Sequence, residues 1–185
     1  MIRALRFEGS TSDSIVLLPA VRTRPEDAVT AGFVAAAQGR PRLIFADVPT
    51  DELRARPDFA ALLGDLVAPE IEAGRKTWLV GLSLGGWLAL QLARAEPRVA
   101  GIGLIAPWLG ARTLPTDDER TTWDFLASTD HAPLWLGFGR EDRFADVQQR
   151  AAMLLPAERV SVVPGGHDWP CWRVLWDHFL TWASR

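Results

Sequence analysis

Short runs of contiguous apolar residues, each followed by a longer stretch with helical spacing, recur along this chain. That alternation restricts it to folds made of βαβ units around a mainly parallel sheet. Ser14 to Pro19, Thr77 to Leu82 and Val99 to Ala106 read as strands buried on both faces, and Arg42 to Val48 as a further strand. Ile2 to Phe7 has the mixed character of an edge strand, and Ala132 to Phe138 and Arg159 to Val163 complete the set. Between them, the spacing predicts one helix from Pro25 to Gly39 with Ala28, Val29, Gly32, Phe33 and Ala36 on one face. Further helices are expected over Leu84 to Ala95, Ala145 to Leu154 and Trp169 to Ala183. Pro57 and Pro69 should break Asp51 to Gly74 into two or three short pieces.

Length and composition narrow the class further. At 185 residues the chain matches one domain spanning 1 to 185, and 48% apolar with 23% charged residues is an ordinary globular balance. Twenty basic against 23 acidic side chains leave a net charge of −3, too weak a field to hold nucleic acid or an anionic membrane. The N-terminal residues interrupt their apolar positions with charge, and no stretch approaches the ~18 apolar residues of a membrane span, so a cytoplasmic protein is expected. Cys171 is the one cysteine and there are three histidines, too few soft ligands for a structural zinc site; no metal and no organic cofactor are expected.

Gly81-Leu82-Ser83-Leu84-Gly85 is a G-x-S-x-G pattern lying between a predicted buried strand and a predicted helix. A chain that passes from strand to helix within one residue forces that residue into φ > 0 and leaves its side chain standing above the sheet. The helix start behind Ser83 directs N–H groups and partial positive charge outward, which makes the Leu84 N–H a candidate donor to a developing oxyanion.

A serine hydroxyl needs a base to become a nucleophile, and a histidine base needs an orienting acid. His167, in the loop Pro164-Gly-Gly-His-Asp168, should emerge at the same strand ends as Ser83; His131 and His178 read as a loop and a helix-surface histidine. For the acid, Asp142 and Glu141 both follow the strand end at Gly139, and Asp142 is preferred because Gly-x-x-Asp leaves one tight turn before the carboxylate. Asp168 reads as the N-cap of the final helix.

With the order Ser83, Asp142, His167 at successive strand ends, the sequence resembles the α/β-hydrolase superfamily over essentially its whole length. The resemblance rests on the elbow Gly81–Gly86, the turn Gly139-Arg-Glu-Asp142 and the loop Gly165-Gly-His167. It implies a Ser nucleophile, a His acid/base, an Asp that orients it and an acyl-enzyme intermediate that water resolves, so an ester or thioester of a small or medium acyl substrate is expected. An acyltransferase using the same residues and a non-catalytic binding module are the alternatives. The family often has a His-Gly pair after the strand equivalent to Ser14–Pro19; here the chain reads Pro19-Ala-Val-Arg22, so the second oxyanion donor is expected from Ala20 or Val21 N–H.

Residues 107 to 131 break the strand–helix rhythm and are expected to form a short cap, with a capping-box pattern Thr116-Asp-Asp-Glu119 opening a helix. Trp108 and Trp123 within it stand as either substrate-pocket walls or simple cap packing. Trp169, Trp172, Trp176 and Phe179 read as a core face, Arg22 and Arg24 as surface arginines, and Cys171 as a buried spectator.

Overall fold

The computed structural model describes residues 1–49, 58–110, 117–128 and 130–185. Seven strands form one sheet: β1 (Ala4–Phe7), β2 (Asp13–Leu18), β3 (Arg42–Ala46), β4 (Lys76–Leu82), β5 (Gly101–Ile105), β6 (Leu134–Gly139) and β7 (Val160–Val163), in the order β1-β3-β2-β4-β5-β6-β7. Every neighbouring pair is parallel except β1 with β3, which is antiparallel and places the least buried strand at an edge. Eight α-helices are assigned among the described residues: α1 (Pro25–Thr30), α2 (Phe33–Ala37), α3 (Phe59–Leu62), α4 (Ala68–Glu72), α5 (Leu84–Ala95), α6 (Asp117–Ala127), α7 (Ala145–Ala152) and α8 (Trp169–Ala183).

Because side chains alternate across a strand, the central strands feed two cores at once. Val16 and Leu18 of β2, with Leu79, Leu104 and Phe138, pack under Leu88 and Leu92 of α5, Leu126 of α6 and Val147 of α7. Ile15 and Leu17, with Val80, Ile105 and Trp135, face α1, α2 and the buried side of α8. On that second face Trp176 is fully buried, stacks on Phe33 at 5.0 Å and donates its indole N–H to the Phe33 carbonyl at 2.9 Å. The aromatic spacing of the last helix is therefore a core face.

Two helical expectations are corrected. The segment from Pro25 is two short helices, because Gly32 takes φ 83°, a left-handed conformation that ends the first helix and redirects the chain. Ala28 and Phe33 stay buried, while Val29, expected on the same face, is exposed. Around Pro69 the helix does not break; it widens. Leu63–Val67 is a π-helical turn joining α3 to α4, with the Ala68 N–H bonded to the Leu63 carbonyl five residues back. The wider turn relieves the clash a proline ring makes with the carbonyl four residues earlier. That carbonyl, of Asp65, accepts from Arg6 instead at 3.3 Å. Residues 51 to 57, including Pro57, lie outside the described residues.

No helix among the described residues is long and apolar enough to cross a membrane. Trp176→Ala removes the largest fully buried side chain and its hydrogen bond, and is expected to cost about 3–5 kcal/mol. A fall in the urea midpoint with an unchanged slope checks it.

Candidate active site

The site is organised by the junction of β4 and α5, where Ser83 alone occupies the turn with φ 52° and ψ −116°. This non-glycine left-handed residue is held by three backbone bonds: its N–H donates to Ile105 O at 3.0 Å, and its carbonyl accepts from Gly86 N–H at 2.9 Å and Trp108 N–H at 2.8 Å. The flanking glycines are steric necessities. A Cβ on Gly81 would lie 2.0 Å from the Gly85 carbonyl oxygen, and one on Gly85 would lie 2.4 Å from the Leu18 carbonyl oxygen. The elbow thus seats the start of α5 against the end of β2, at Leu18 and Pro19.

His167 lies in the loop between β7 and α8, and its imidazole bridges two partners. Nε2 is 2.8 Å from Ser83 Oγ and Nδ1 is 2.7 Å from Asp142 Oδ2. The Asp142 side chain is fully buried and that of His167 is 8% exposed. Phe144 and Trp172 both stand perpendicular to the imidazole at 5.1 Å, enclosing the ring from two sides. The other histidines are elsewhere: His131 Nδ1 meets the Ala132 carbonyl and its ring packs on Phe125, while His178 Nδ1 meets Ser161 Oγ at 2.6 Å.

Of the two candidate acids, Asp142 reaches the imidazole. Glu141 instead accepts the Gly165 N–H on its carboxylate at 2.5 Å, while its own N–H donates to the Gly165 carbonyl at 3.1 Å. That reciprocal pair fastens the acid turn to the histidine loop. Burial by itself would raise the Asp142 carboxyl, but the hydrogen bond from His167, the Phe144 N–H, the His167 charge and the Gln148 amide together hold it below the usual 3.8. Burial pushes the Cys171 thiol up to about 11, with the carboxylates of Asp168, Asp142 and Glu141 adding to it, which disfavours the thiolate.

Asp168 caps α8, accepting the Cys171 N–H at 3.0 Å. Ala20 is buried and Val21 partly buried in the turn after β2; the Ala20 carbonyl accepts from Thr23 Oγ1 at 2.9 Å, and Arg22 has φ 62°. Leu84 is the first residue of α5, where an N–H has no carbonyl one turn back to bond. Trp108 is partly buried directly beyond β5, its N–H on the Ser83 carbonyl. Trp123 packs on the core from α6, with the Arg150 guanidinium 5.8 Å above its ring. Residues 111–116, including Thr116 of the expected capping box, and residue 129 lie outside the described residues. Among the described residues no group of three or more His, Cys, Asp or Glu is placed to hold a metal ion.

Gln148 is the participant that sequence reasoning missed. It is fully buried on α7 and touches Asp142. Its sequence signal is a polar residue at helical spacing with Phe144, Ala151 and Ala152, on a face otherwise apolar.

No family model matches the chain, and no curated protein sequence matches it. Solved structures do. A monoacylglycerol lipase of Paleococcus ferrophilus superposes with a TM-score of 0.73 at 14% identity, over 99% of this chain and 98% of that one. Fluorophosphonate-binding serine hydrolase F of Staphylococcus aureus gives 0.74 at 15% identity, over 94% of this chain and 84% of that one. An S-formylglutathione hydrolase of the same organism gives 0.69 at 13% identity, over 100% and 96%. With the strand order and elbow described above, these likenesses define the architecture: the chain has the α/β-hydrolase fold.

The depressed Asp142 titration predicts a pH signature of stability. A carboxyl whose folded value lies below its unfolded value stabilises the fold above the unfolded value, and that contribution is lost as pH falls through the folded one. The stability gap between wild type and Asp142→Asn should therefore be full above the ordinary carboxylate range and narrow as pH falls through and below it, as read by urea unfolding at each pH.

Proposed function

We propose that the chain is a serine hydrolase that cleaves an ester or thioester of a small to medium acyl substrate through an acyl-enzyme. The observation that carries this reading is the unbroken hydrogen-bonded relay from Ser83 Oγ through His167 to Asp142, mounted on a strained elbow. The solved structures of like fold include a monoacylglycerol lipase, a ferulic acid esterase and an S-formylglutathione hydrolase, which supports ester or thioester chemistry.

In this mechanism Ser83 Oγ attacks the acyl carbonyl carbon while His167 Nε2 takes its proton. Asp142 holds the imidazole with Nδ1 protonated and stabilises the imidazolium that forms. The carbonyl oxygen, now negative, receives the Leu84 N–H and an N–H from Ala20 or Val21. Collapse expels the alcohol or thiol, which leaves with the proton from His167 Nε2. Water then attacks the Ser83 ester by the same route, releasing the acid and restoring the hydroxyl. No metal or organic cofactor takes part in this scheme. In this reading Trp108 and, on α6, Trp123 contribute aromatic surface to a cap over the site.

A fluorophosphonate probe should label wild type on the peptide carrying Ser83, and an ester and thioester panel should give turnover. Ser83→Ala should abolish labelling, Ser83→Ala or His167→Ala should lower turnover by about 10⁴ or more, and Asp142→Asn should cost less than either. Folded wild type that neither labels nor turns over any member of the panel overturns the proposal and favours a binding module.

A further inference from the structure

The geometry points to Gln148 as a positioning residue that acts on His167 through Asp142 and ties the acid to the loop seating the nucleophile. Its side chain is fully buried in α7, six residues beyond Asp142. The amide nitrogen has two hydrogens and two acceptors in reach: Asp142 Oδ2 at 3.4 Å and the Pro107 carbonyl at 3.2 Å. The next residue after Pro107 is Trp108, whose N–H holds the Ser83 carbonyl at 2.8 Å. Starting at Ser83 Oγ, the contacts run through His167, Asp142, Gln148, Pro107 and Trp108 back to the Ser83 backbone, a closed ring in which Gln148 joins the acid turn to the elbow.

The chemistry of the amide fixes its orientation. With the carbonyl turned inward, Oε1 would face the carboxylate and repel it, so the NH₂ must be the end that meets Asp142. Oε1 then lies buried with no hydrogen-bond partner among the described residues. A buried carbonyl left without a partner costs stability, so the fold gains little from having glutamine rather than an apolar residue here. What glutamine adds is a donor on the same oxygen that faces His167 Nδ1. That donor draws charge from Oδ2, and its loss leaves the full carboxylate charge against the imidazole, which favours the imidazolium.

Among the described residues, these charged and titratable groups stand around the imidazole. Asp142 faces Nδ1, Arg143 stacks on Phe144 at 4.8 Å and Phe144 abuts the ring, Glu141 sits on Gly165, and Asp168 and Cys171 follow at the start of α8. None of the others touches Asp142 Oδ2 in the described contacts, so replacing Gln148 changes one bond to that atom.

The rate readout rests on the serine-hydrolase reading; the titration readout does not. Gln148→Met, with Gln148→Leu as a second apolar variant, is compared with wild type by thermal unfolding, by the rate of fluorophosphonate labelling of Ser83, and by the NMR titration of the His167 imidazole. The expected result is an unfolding midpoint within a few degrees of wild type and labelling slowed by about tenfold at neutral pH, with part of the loss recovered at higher pH. The His167 midpoint should move upward, and in an Asp142→Asn background the same substitution should slow labelling no further. Wild-type labelling with an unmoved His167 titration in a folded variant overturns the inference, as does a slowing that persists undiminished in Asp142→Asn. If wild-type Ser83 is not labelled but the His167 midpoint still rises in Gln148→Met, the role of Gln148 stands and the hydrolase reading falls.

Discussion

The reversal of the chain at Ser83 is the constraint on which the rest of the site depends. One residue at φ 52° turns a buried strand into a helix, and it can do so only where neighbouring backbones approach to distances that a Cβ would block. The strain is local and the restraints are not: Ile105 comes from β5 and Trp108 from beyond it, so the elbow is over-determined by the neighbouring strand. A left-handed serine of this kind persists because the sheet around it leaves no other conformation that keeps those three backbone groups bonded.

Parallel strand order does the rest of the placement. β4, β5, β6 and β7 are adjacent and run the same way, so the loops after β4, β6 and β7 open at one end of the sheet. That brings together Ser83, Asp142 and His167, which are up to 84 positions apart. Two local clamps refine the placement. The Glu141–Gly165 pair fastens the acid turn to the histidine loop, and the Asp168 cap fixes where α8 begins, two residues beyond His167.

Much of this was legible in the sequence because it depends on backbone conformation and strand polarity, which leave local marks. The elbow pattern, the strand ends and the α8 cap are each written in four to six consecutive residues around Ser83, Asp142 and Asp168. What was not legible depends on contacts between distant segments. Gly32 reads as one more small residue on a helical face, and only the packing of Phe33 against Trp176 shows why the chain turns there. Pro69 reads as a breaker, yet a π turn upstream lets the helix pass through it. Turn spacing favours Asp142 over Glu141 as the acid, but the role Glu141 takes instead, a clamp on the histidine loop, follows from which side of the turn faces Gly165.

Burial of Asp142 explains why its surroundings are so densely bonded. A carboxylate removed from water is costly unless donors replace its hydration, and a fully buried one needs several. The Phe144 N–H on Oδ1 is supplied by the turn itself, two residues on, and the His167 N–H on Oδ2 by the loop after β7. These two leave Oδ2 with a single donor. The third comes from the first buried turn of α7, so the helix after the acid is part of the acid's solvation and not only of the core. The perpendicular rings of Phe144 and Trp172 enclose the imidazole at the other end of the Oδ2 bond, so the contact between His167 and Asp142 lies in a low-dielectric setting where a change of charge on Oδ2 is felt strongly at Nδ1. A site closed in this way holds its imidazole in one orientation before any substrate arrives: the turn and loop donors satisfy the carboxylate, the α7 amide sets how much of its charge faces Nδ1, and the two rings fix the plane of the imidazole between them.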